Sequence, residues 1–415
     1  MAGDEWSHAI AHVDADCFYA SCELVRRPEL RGKPLCVLSS QDACVVAKTY
    51  DAKAAGIKTG MTLWEARRCL PEATFLSADF RYYGKLSDQL FAILRRYSPE
   101  VEEYSIDEAF LNLGGLSVLR GKPYRHFADA LRAVVRQEIG ITVSVGISVT
   151  RTLAKMASEY NKPDGTTVVA KRRAGDFLQR VGVRDIPGVG ANRMALLHKY
   201  AIRTAADFAN ADEGLIRRLL GKSGVELWYE LRGTPVYGVS HVSRTPKSVA
   251  RTASMGTLTG DPGLIRSHLV RHTMRLSREL IGKRLTARRL TVFLTDQMFR
   301  RVPWSAELPY ATADYFQLID FVEAALAALY NGRELYRACG VVADGIAPRQ
   351  ESGFDLFQQA EAQREARDVR LLETVHAINR KYGENVVSIC AGLKWANRHG
   401  AAHATRFAYP MLECQ

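Results

Sequence analysis

The chain has 415 residues, too many for one ordinary domain and enough for about two to four compact units. Its 47% hydrophobic and 25% charged residues are typical of a globular protein, and no apolar run reaches the roughly 18 residues of a membrane span. The N-terminus has no basic segment followed by an apolar one, which excludes a signal peptide and predicts a cytoplasmic location without membrane contact.

The eight cysteines and ten histidines show no metal-binding pattern. No two cysteines form a CxxC pair and most lie in apolar runs, so buried free thiols in a reducing compartment are predicted. His268 and His272 are expected to share one face of a helix, but no glutamate adjoins them as in a metalloprotease motif. Metal binding by this pair is therefore not expected.

The net charge of +12 is concentrated in one segment. Residues 241–301 contain 13 lysines and arginines but only three acids. The segment also has apolar residues at folding periods, which predicts a folded basic domain rather than a charged tail. Such a surface suits a polyanion, so nucleic acid is the expected partner.

Short strands and helices are predicted in the first hundred residues. Hydrophobic runs predict strands at 8–13, 34–38 and 44–48, and helical signals predict helices at 50–55, 62–70 and 81–97. Thr62 is the predicted N-cap of the second helix, and prolines follow the last two.

The next segment contains a polar corner at 105–108 between two strand-like segments, 101–104 and 109–113. These segments form either two antiparallel strands or one bent strand. A helix at 126–139, a strand at 142–147 and a helix at 150–160 follow. A sheet covered by helices on one face, with acids at strand ends, is the α+β pattern.

The sequence pattern changes near residue 183, where short helical segments replace the mixed strands and helices. A helix–hairpin–helix is predicted at 186–200, and short helices continue to about Gly233. Residues 234–246 are rich in small polar residues, glycine and proline, which is typical of a linker. Mixed helix and strand patterns then extend to about Pro348, and one more helix–strand pattern spans 371–390.

Three carboxylates are candidates for chemistry. Asp14 ends the first strand, and the adjacent Asp107 and Glu108 lie at the polar corner. Buried, unpaired acids are costly, but a divalent cation would neutralise them. Magnesium prefers carboxylate, phosphate and water oxygens, and two such ions can activate an attacking hydroxyl and stabilise a leaving pyrophosphate. The alternative is that Asp107 and Glu108 only form a turn and that Asp14 only caps it.

Four motifs in this chain resemble those of Y-family DNA polymerases, in the same order and at suitable separations. They are HVDADCFYASCE at 12–23, VVA at 45–47 leading to Tyr50, Lys53, Gly56 and Gly60, YSIDEAF at 104–110, and GIS at 146–148 followed by TLAKMAS at 152–158 and NKPDG at 161–165. The resemblance covers residues 8–348 and implies an α+β right-hand polymerase. It implies palm at 1–17 and 79–170, fingers at 18–78, a helical thumb at 171–237, a linker at 238–246, an α/β little finger at 247–348 and a tail at 349–415.

The resemblance also implies a role for individual residues. Asp14, Asp107 and Glu108, with the carbonyl of Ala15, would hold two Mg²⁺ ions, which Mn²⁺ could replace. Tyr19 would be the steric gate against a 2′-hydroxyl, although core packing is its alternative role. Phe18, Tyr50, Lys53 and Lys162 would bind the incoming dNTP, with cationic and hydroxyl groups on its triphosphate.

DNA contacts are expected in the thumb and the little finger. Gly188, Val189 and Gly190 would present backbone N–H groups to a phosphate, unless this hairpin is a simple helix connector. The basic region at 241–348, including Lys247 and Arg251, would lie along the primer–template DNA through salt-sensitive phosphate contacts.

The segment Phe354-Asp355-Leu356-Phe357 resembles a bacterial sliding-clamp peptide, although Gly353 replaces the usual initial glutamine. Phe354, Leu356 and Phe357 would be the clamp anchors. Accessory or activator subunits are further expected partners of a chain that is otherwise monomeric.

The resemblance leaves the subfamily open. Lys53, where many relatives have arginine, and residues 18–23 and 37–44 are closer to the catalytic subunit of bacterial polymerase V, whereas residues 161–165 are closer to polymerase IV. An error-prone translesion polymerase is the favoured function. A catalytically silent DNA-binding subunit and a palm-fold nucleotide cyclase are the alternatives. The first would lack a metal ligand, and the second would not explain the thumb hairpin and the basic domain.

Overall fold

The computed structural model describes residue 6, residues 8–39, 42–114, 123–240 and 245–349, and single residues or short stretches within 367–387. The described residues form two compact units, one up to residue 240 and the other from residue 245 onward. Each unit has its own hydrophobic core.

The first unit contains both sheets and helices. Its strands are β1 (Ile10–Ala15), β2 (Leu35–Leu38), β3 (Val45–Lys48), β4 (Thr74–Ser77), β5 (Val101–Glu103), β6 (Glu108–Asn112), β7 (Val143–Ser148) and β8 (Thr166–Val168). Its helices are α1 (Phe18–Arg26), α2 (Tyr50–Ala54), α3 (Leu63–Cys69), α4 (Phe80–Arg95), α5 (Tyr124–Ile139), α6 (Arg151–Tyr160), α7 (Ala174–Gln179), α8 (Ala191–His198), α9 (Ala205–Asn210) and α10 (Glu213–Leu231).

The main sheet has the strand order β5-β6-β1-β7-β8, which places β1 at its centre. All six residues of β1 are buried, as expected for a strand with neighbours on both edges. β5 and β6 are antiparallel, with Val101 opposite Leu111, so the polar corner joins two separate strands. The first of the two predicted alternatives is therefore the one that forms.

Helices cover both faces of this sheet, so the prediction of helices on one face was wrong. Alternate residues of β1 and β7 pack with α4 and α5 in one core, whereas α6 packs against the opposite face. Gly146 explains this close approach: a Cβ there would lie 2.1 Å from the Ala154 carbonyl oxygen and 2.2 Å from the Ser158 nitrogen. Only a residue without a side chain lets the α6 backbone lie directly on β7.

A small second sheet, in the order β3-β2-β4, lies between α1 and α4 in sequence. The predicted N-cap at Thr62 is confirmed, because its side chain accepts from the Glu65 amide and Glu65 bonds back to the Thr62 amide. This reciprocal capping box satisfies two amide groups at the start of α3.

The remaining helices of the first unit pack around one apolar cluster that includes Leu197, Phe208 and Ile216. α10 is interrupted at Gly221, whose φ of 67° and ψ of −155° are not helical. The predicted turn between helices is confirmed here, because residues 187–190 connect a 3-10 turn, Val183–Asp185, to α8.

The second unit is a sheet with two helices. It contains β9 (Ser248–Thr259), α11 (Pro262–Gly282), β10 (Leu285–Asp296), β11 (Arg301–Thr312), α12 (Tyr315–Leu329), β12 (Tyr336–Asp344) and the short β13 (Ala347–Pro348). The strand order is β11-β10-β12-β9, with β13 beside β10. Leu372, from the C-terminal segment, is buried against Val270 and Tyr315 of the two helices.

Two compositional predictions can be compared with the described residues. All six cysteines described are free, but only Cys22, Cys36 and Cys339 are buried, whereas Cys69 is exposed because it ends α3. His268 and His272 do share a face of α11, with ring centres 6.4 Å apart, and both are buried. Among the described helices, none is long and apolar enough to cross a membrane.

Candidate active site

Strand register brings the predicted acids together. Asp14 lies directly opposite Glu108 in the pairing of β1 with β6. The Ala15 amide donates to the Asp107 carbonyl at 2.9 Å, which fixes the polar corner to the end of β1. Residues about ninety positions apart thus form one site because two neighbouring strands are antiparallel.

The sequence reasoning assigned no role to His12, since it weighed only His268 and His272 as a metal-binding pair. His12 lies two residues before Asp14 and therefore points to the same face of β1. Its side chain offers a ligand atom, as do Asp14 and Glu108, and the three atoms all lie within 4.8 Å of one another. A histidine inside an otherwise apolar strand, two residues before a candidate metal ligand, was the available signal.

Hydrogen bonds fix the orientation of the His12 ring. Nε2 lies 3.0 Å from Glu108 Oε2, and Nδ1 lies 2.7 Å from Ser158 Oγ. Complete burial lowers the pKa of His12 to about 4, so the ring is neutral at pH 7. Because the Glu108 carboxylate can only accept, Nε2 carries the proton and Nδ1 accepts from the Ser158 hydroxyl.

Glu108 remains ionised despite partial burial. Burial alone would raise its pKa, but the hydrogen bond from His12 and the positive charge of Lys155 lower it to about 2. The Lys155 ammonium donates directly to Glu108 Oε2. Lys155 was not assigned a role from the sequence, although it lies one helical turn before Glu159 on α6.

Asp14 faces a different set of charges. Lys162 Nζ lies 2.6 Å from Asp14 Oδ1 and 2.7 Å from Glu159 Oε1. Burial raises the pKa of Asp14, and the nearby Glu159 and Asp107 charges add to this effect, whereas Lys162 opposes it. The two acids raise the pKa of Lys162, so its ammonium stays charged.

Asp107 is the third acid of the candidate site. Burial raises the pKa of Asp107, with a further contribution from the Glu108 charge. The Ser105 hydroxyl donates to its Oδ1 and holds the side chain across the corner. Asp14 and Asp107, whose pKa values are raised by burial, and the ionised Glu108 fit a divalent cation, which would add positive charge among them.

The aromatic pair after β1 occupies two environments. Phe18 is 3% exposed and belongs to the core, so its ring serves packing. Tyr19 is only partly buried and stacks on Tyr83 with ring centres 4.9 Å apart. Burial and the negative charge of Asp107 raise the pKa of Tyr19 to about 12, so its hydroxyl is neutral near the acids.

Tyr50 and Lys53 lie on the short helix α2, Tyr50 as its first residue and Lys53 in its last turn. Lys53 is exposed, and its Nζ lies 5.8 Å from the centre of the Tyr50 ring. Burial raises the pKa of Tyr50, whose hydroxyl is hydrogen-bonded to the Cys17 thiol. Cys17 has a left-handed φ of 47°, which turns the chain from β1 into α1.

The glycine hairpin adopts a tight turn before α8. Gly188 has a φ of 86°, a conformation that favours glycine, and its carbonyl accepts from Arg193 at 3.0 Å. Val189 is buried and donates its N–H to the Ile186 carbonyl, so this amide stabilises the turn. Of the predicted amide donors, Val189 is therefore not available to a phosphate.

Lys247 and Arg251, the two residues of the second unit that were predicted to contact DNA, differ in exposure. Lys247 is exposed just before β9. Arg251 is only 22% exposed and pairs with Glu279 of α11, a carboxylate that Lys283 also contacts. The predicted clamp anchors Phe354, Leu356 and Phe357 lie outside the described residues.

Comparison with known proteins supports the sequence resemblance. Residues 13–159 match the impB/mucB/samB family, and residues 246–356 match the C-terminal domain of the same family. A protein of Halorhodospira halophila named DNA polymerase IV is 32% identical over 351 residues, covering 84% of this chain and 98% of that protein. A DNA polymerase IV of Bacillus velezensis is 29% identical over 406 residues, covering 95% of each chain.

Two solved structures share the fold. A Y-family DNA polymerase chimera of Dbh and Dpo4 has a TM-score of 0.70 at 23% identity and covers 82% of this chain and 99% of its own. An insertion ternary complex of Dbh DNA polymerase has a TM-score of 0.58 with the same coverage. These matches confirm the predicted right-hand polymerase fold with its α+β composition. Since the two family matches extend across both folded units and the relative from Halorhodospira halophila is matched over nearly its whole length, this chain is a DNA polymerase and belongs to the Y family of translesion polymerases.

Proposed function

We propose that this polymerase is an error-prone enzyme that extends a primer across damaged template DNA by two-metal nucleotidyl transfer. In this reaction the primer 3′-hydroxyl oxygen bonds to the α-phosphorus of a dNTP as the bond to pyrophosphate breaks. The observation that carries the proposal is the register of Asp14 opposite Glu108, with Asp107 held at the same corner by its carbonyl bond to Ala15.

Asp14, Asp107 and Glu108, with the Ala15 carbonyl, are the proposed ligands of two Mg²⁺ ions. Their chemistry fits, because hard carboxylate and carbonyl oxygens are the donors that magnesium prefers. Carboxylate oxygens of Asp14 and Glu108 lie within 4.8 Å of each other, and the charge of Asp107 is near enough to raise the pKa of Asp14. When bound, the ions would lower the pKa of the attacking hydroxyl and stabilise charge on the leaving group. Mn²⁺, which accepts the same oxygen ligands, should substitute.

The residues around the acids suit a nucleoside triphosphate. Lys162 holds a charged ammonium beside Asp14, and Tyr50 and Lys53 add a hydroxyl and a second cation. These groups would bind the triphosphate and stabilise charge that develops on pyrophosphate. Tyr19, whose ring is braced by Tyr83, is the proposed steric gate against ribonucleotides.

DNA would be held by backbone contacts. We assign Gly188 and Gly190, together with the start of α8, to a phosphate of the primer–template duplex. In the little finger, exposed Lys247 would contact phosphate, and such contacts are independent of sequence. The proposal also includes docking on a sliding clamp through Phe354, Leu356 and Phe357. It further includes a requirement for accessory subunits.

Primer extension tests the proposal directly. Purified protein, Mg²⁺ and four dNTPs would be incubated with undamaged and abasic templates, beside the double variant Asp107→Ala Glu108→Ala. Asp88→Ala, which removes an exposed acid from α4, is the matched control for loss of one carboxylate. We expect extension past the lesion by wild type and the control, and none by the double variant.

Two other outcomes would change the assignment. A folded wild type that binds DNA without extending it, even with accessory fractions added, would favour a silent subunit. Extension that stops at the abasic site would support polymerase activity and contradict lesion bypass.

Clamp binding needs a separate test. Alanine at Phe354, Leu356 and Phe357 should abolish the stimulation of synthesis by a sliding clamp and leave distributive synthesis intact. Equal loss of both activities would contradict the clamp assignment and indicate a folding defect.

A further inference from the structure

Asp16 differs from Asp14 although the motif places the two acids only two residues apart. Asp16 is 2% exposed, and both of its oxygens already accept hydrogen bonds from the protein. Oδ1 accepts from Ser144 Oγ at 2.8 Å, and Oδ2 accepts from the Asp164 amide at 2.8 Å. A carboxylate with both oxygens engaged in this way is a structural anchor rather than a metal ligand.

The second of these bonds reaches the turn that carries Lys162. This turn connects the end of α6 to β8, and Lys162 lies two residues before Asp164. Asp164 has a φ of 53°, a left-handed conformation that is uncommon outside glycine but that aspartate adopts more often than most residues. The Asp16 carboxylate supplies the acceptor for the amide of this residue.

Two arginines of α5 hold the other side of the turn through the Asp164 carboxylate. Arg132 Nε donates to Asp164 Oδ1 at 3.1 Å, and Arg136 pairs with Asp164 Oδ2. Ser144, besides donating to Asp16, accepts from the Gly165 amide at 3.3 Å. The turn is therefore fixed to α5 through its side chain and to β1 and β7 through its backbone.

We propose that Asp16 is a positioning residue that sets the Lys162 ammonium for contact with the nucleotide triphosphate. The inference rests on the proposed function only in identifying the triphosphate as the partner of Lys162. Without the Asp16 anchor, the Asp164 amide loses its acceptor and the left-handed turn loses one of its supports. Lys162 would then sample more positions, and each binding event would have to order it again.

Three variants separate this role from metal binding. Asp16→Asn keeps the size of the side chain, and its Oδ1 can still accept from the Asp164 amide, so it should rescue function. Asp16→Ala removes both anchors. Asp14→Asn removes a proposed metal ligand and is the contrasting case. For each, we would measure KM for dNTP and kcat in primer extension, and Mn²⁺ affinity by electron paramagnetic resonance in the absence of nucleotide.

We expect Asp16→Ala to raise KM for dNTP about tenfold, with the dissociation constants for DNA and Mn²⁺ unchanged. Asp16→Asn should stay within about threefold of wild type, and Asp14→Asn should lose Mn²⁺ affinity. In a Lys162→Ala background, Asp16→Ala should change KM less than twofold further, because the two substitutions act on one contact. An unchanged KM for Asp16→Ala, an equal effect in both backgrounds, or lost Mn²⁺ affinity in Asp16→Asn would overturn the proposal.

A further variant tests the proposal if Asp16→Ala is too unstable to assay. Ser144→Ala keeps the Asp16 carboxylate but removes the bond to its Oδ1 and the acceptor of the Gly165 amide. It should raise KM for dNTP about threefold, and an unchanged KM would equally overturn the proposal. Extension by wild type without these KM differences would refute the positioning role alone, whereas a wild type that does not extend primers would refute the proposed function.

Discussion

Gly146→Ala should separate α6 from the main sheet. The added Cβ would meet the Ala154 carbonyl oxygen at 2.1 Å and the Ser158 nitrogen at 2.2 Å. Ordinary contacts of this kind are about 3.4 Å or more, and both atoms belong to backbone, which cannot rotate away as a side chain can. The helix must therefore move by about 1 Å. Overpacking of this kind costs about 3 kcal/mol, a large fraction of a typical free energy of unfolding.

The same movement should reach the active site, because α6 carries Lys155 and Ser158 and leads into Lys162. Ser158 bonds to His12, and Lys155 pairs with Glu108. A displacement of about 1 Å in positioning groups can lower a rate about 100-fold. We therefore expect a loss of extension activity that exceeds the fraction of protein unfolded at the assay temperature.

The assay combines urea denaturation, followed by circular dichroism, with single-turnover primer extension. Gly175→Ala is the matched control: Gly175 lies exposed in α7 with no atom within 4 Å of the new Cβ, and alanine should stabilise that helix by about 1 kcal/mol or less. A Gly146→Ala protein with the wild-type denaturation midpoint and extension rate would refute the argument from close approach.

Three further predictions concern the proposed contacts. Tyr19→Ala should admit ribonucleotides with a selectivity loss of about 100-fold or more, and unchanged sugar discrimination in single-nucleotide insertion would remove Tyr19 from the gate. Burial raises the pKa of Asp14 to about 7, so this carboxyl is protonated below that pH and must lose its proton to bind metal. Mn²⁺ affinity should therefore weaken from pH 8 to pH 6. A calorimetric Mn²⁺ affinity that does not change with pH would contradict this. Lys247→Ala should reduce the slope of log affinity for DNA against log salt by about 1, whereas Arg251→Ala, which breaks a pair with Glu279, should leave the slope unchanged.

Local signals in the sequence were enough to find most elements near the active site. Thr62 predicted the start of α3, where Glu65 completes a capping box, and the apolar run before Asp14 predicted β1. These features depend on hydrogen bonds and hydrophobic periods within a few residues, so they can be read without knowing the fold. The motifs carrying Asp14, Asp107 and Glu108 also indicated the family, which the comparisons then showed.

The roles of residues that act through space could not be read in this way. No local pattern connects His12 with Glu108 and Ser158, because that contact depends on strand register and on α6 lying against the sheet. The charge of Arg251 predicts a DNA contact, but in the structure its side chain pairs with Glu279.

The resemblance of the motif assigned Asp14, and not Asp16, to metal binding, but it left the role of Asp16 open. By itself the sequence predicted most elements of the first unit, the acid motifs and the basic character of the second unit, since these follow from residue type and short spacing. Only the tertiary structure decided that one acid lies beside Glu108 and Lys162 while the other holds a turn. The physical reason is that a carboxylate's role depends on which donors surround it, and those donors come from segments more than a hundred residues away.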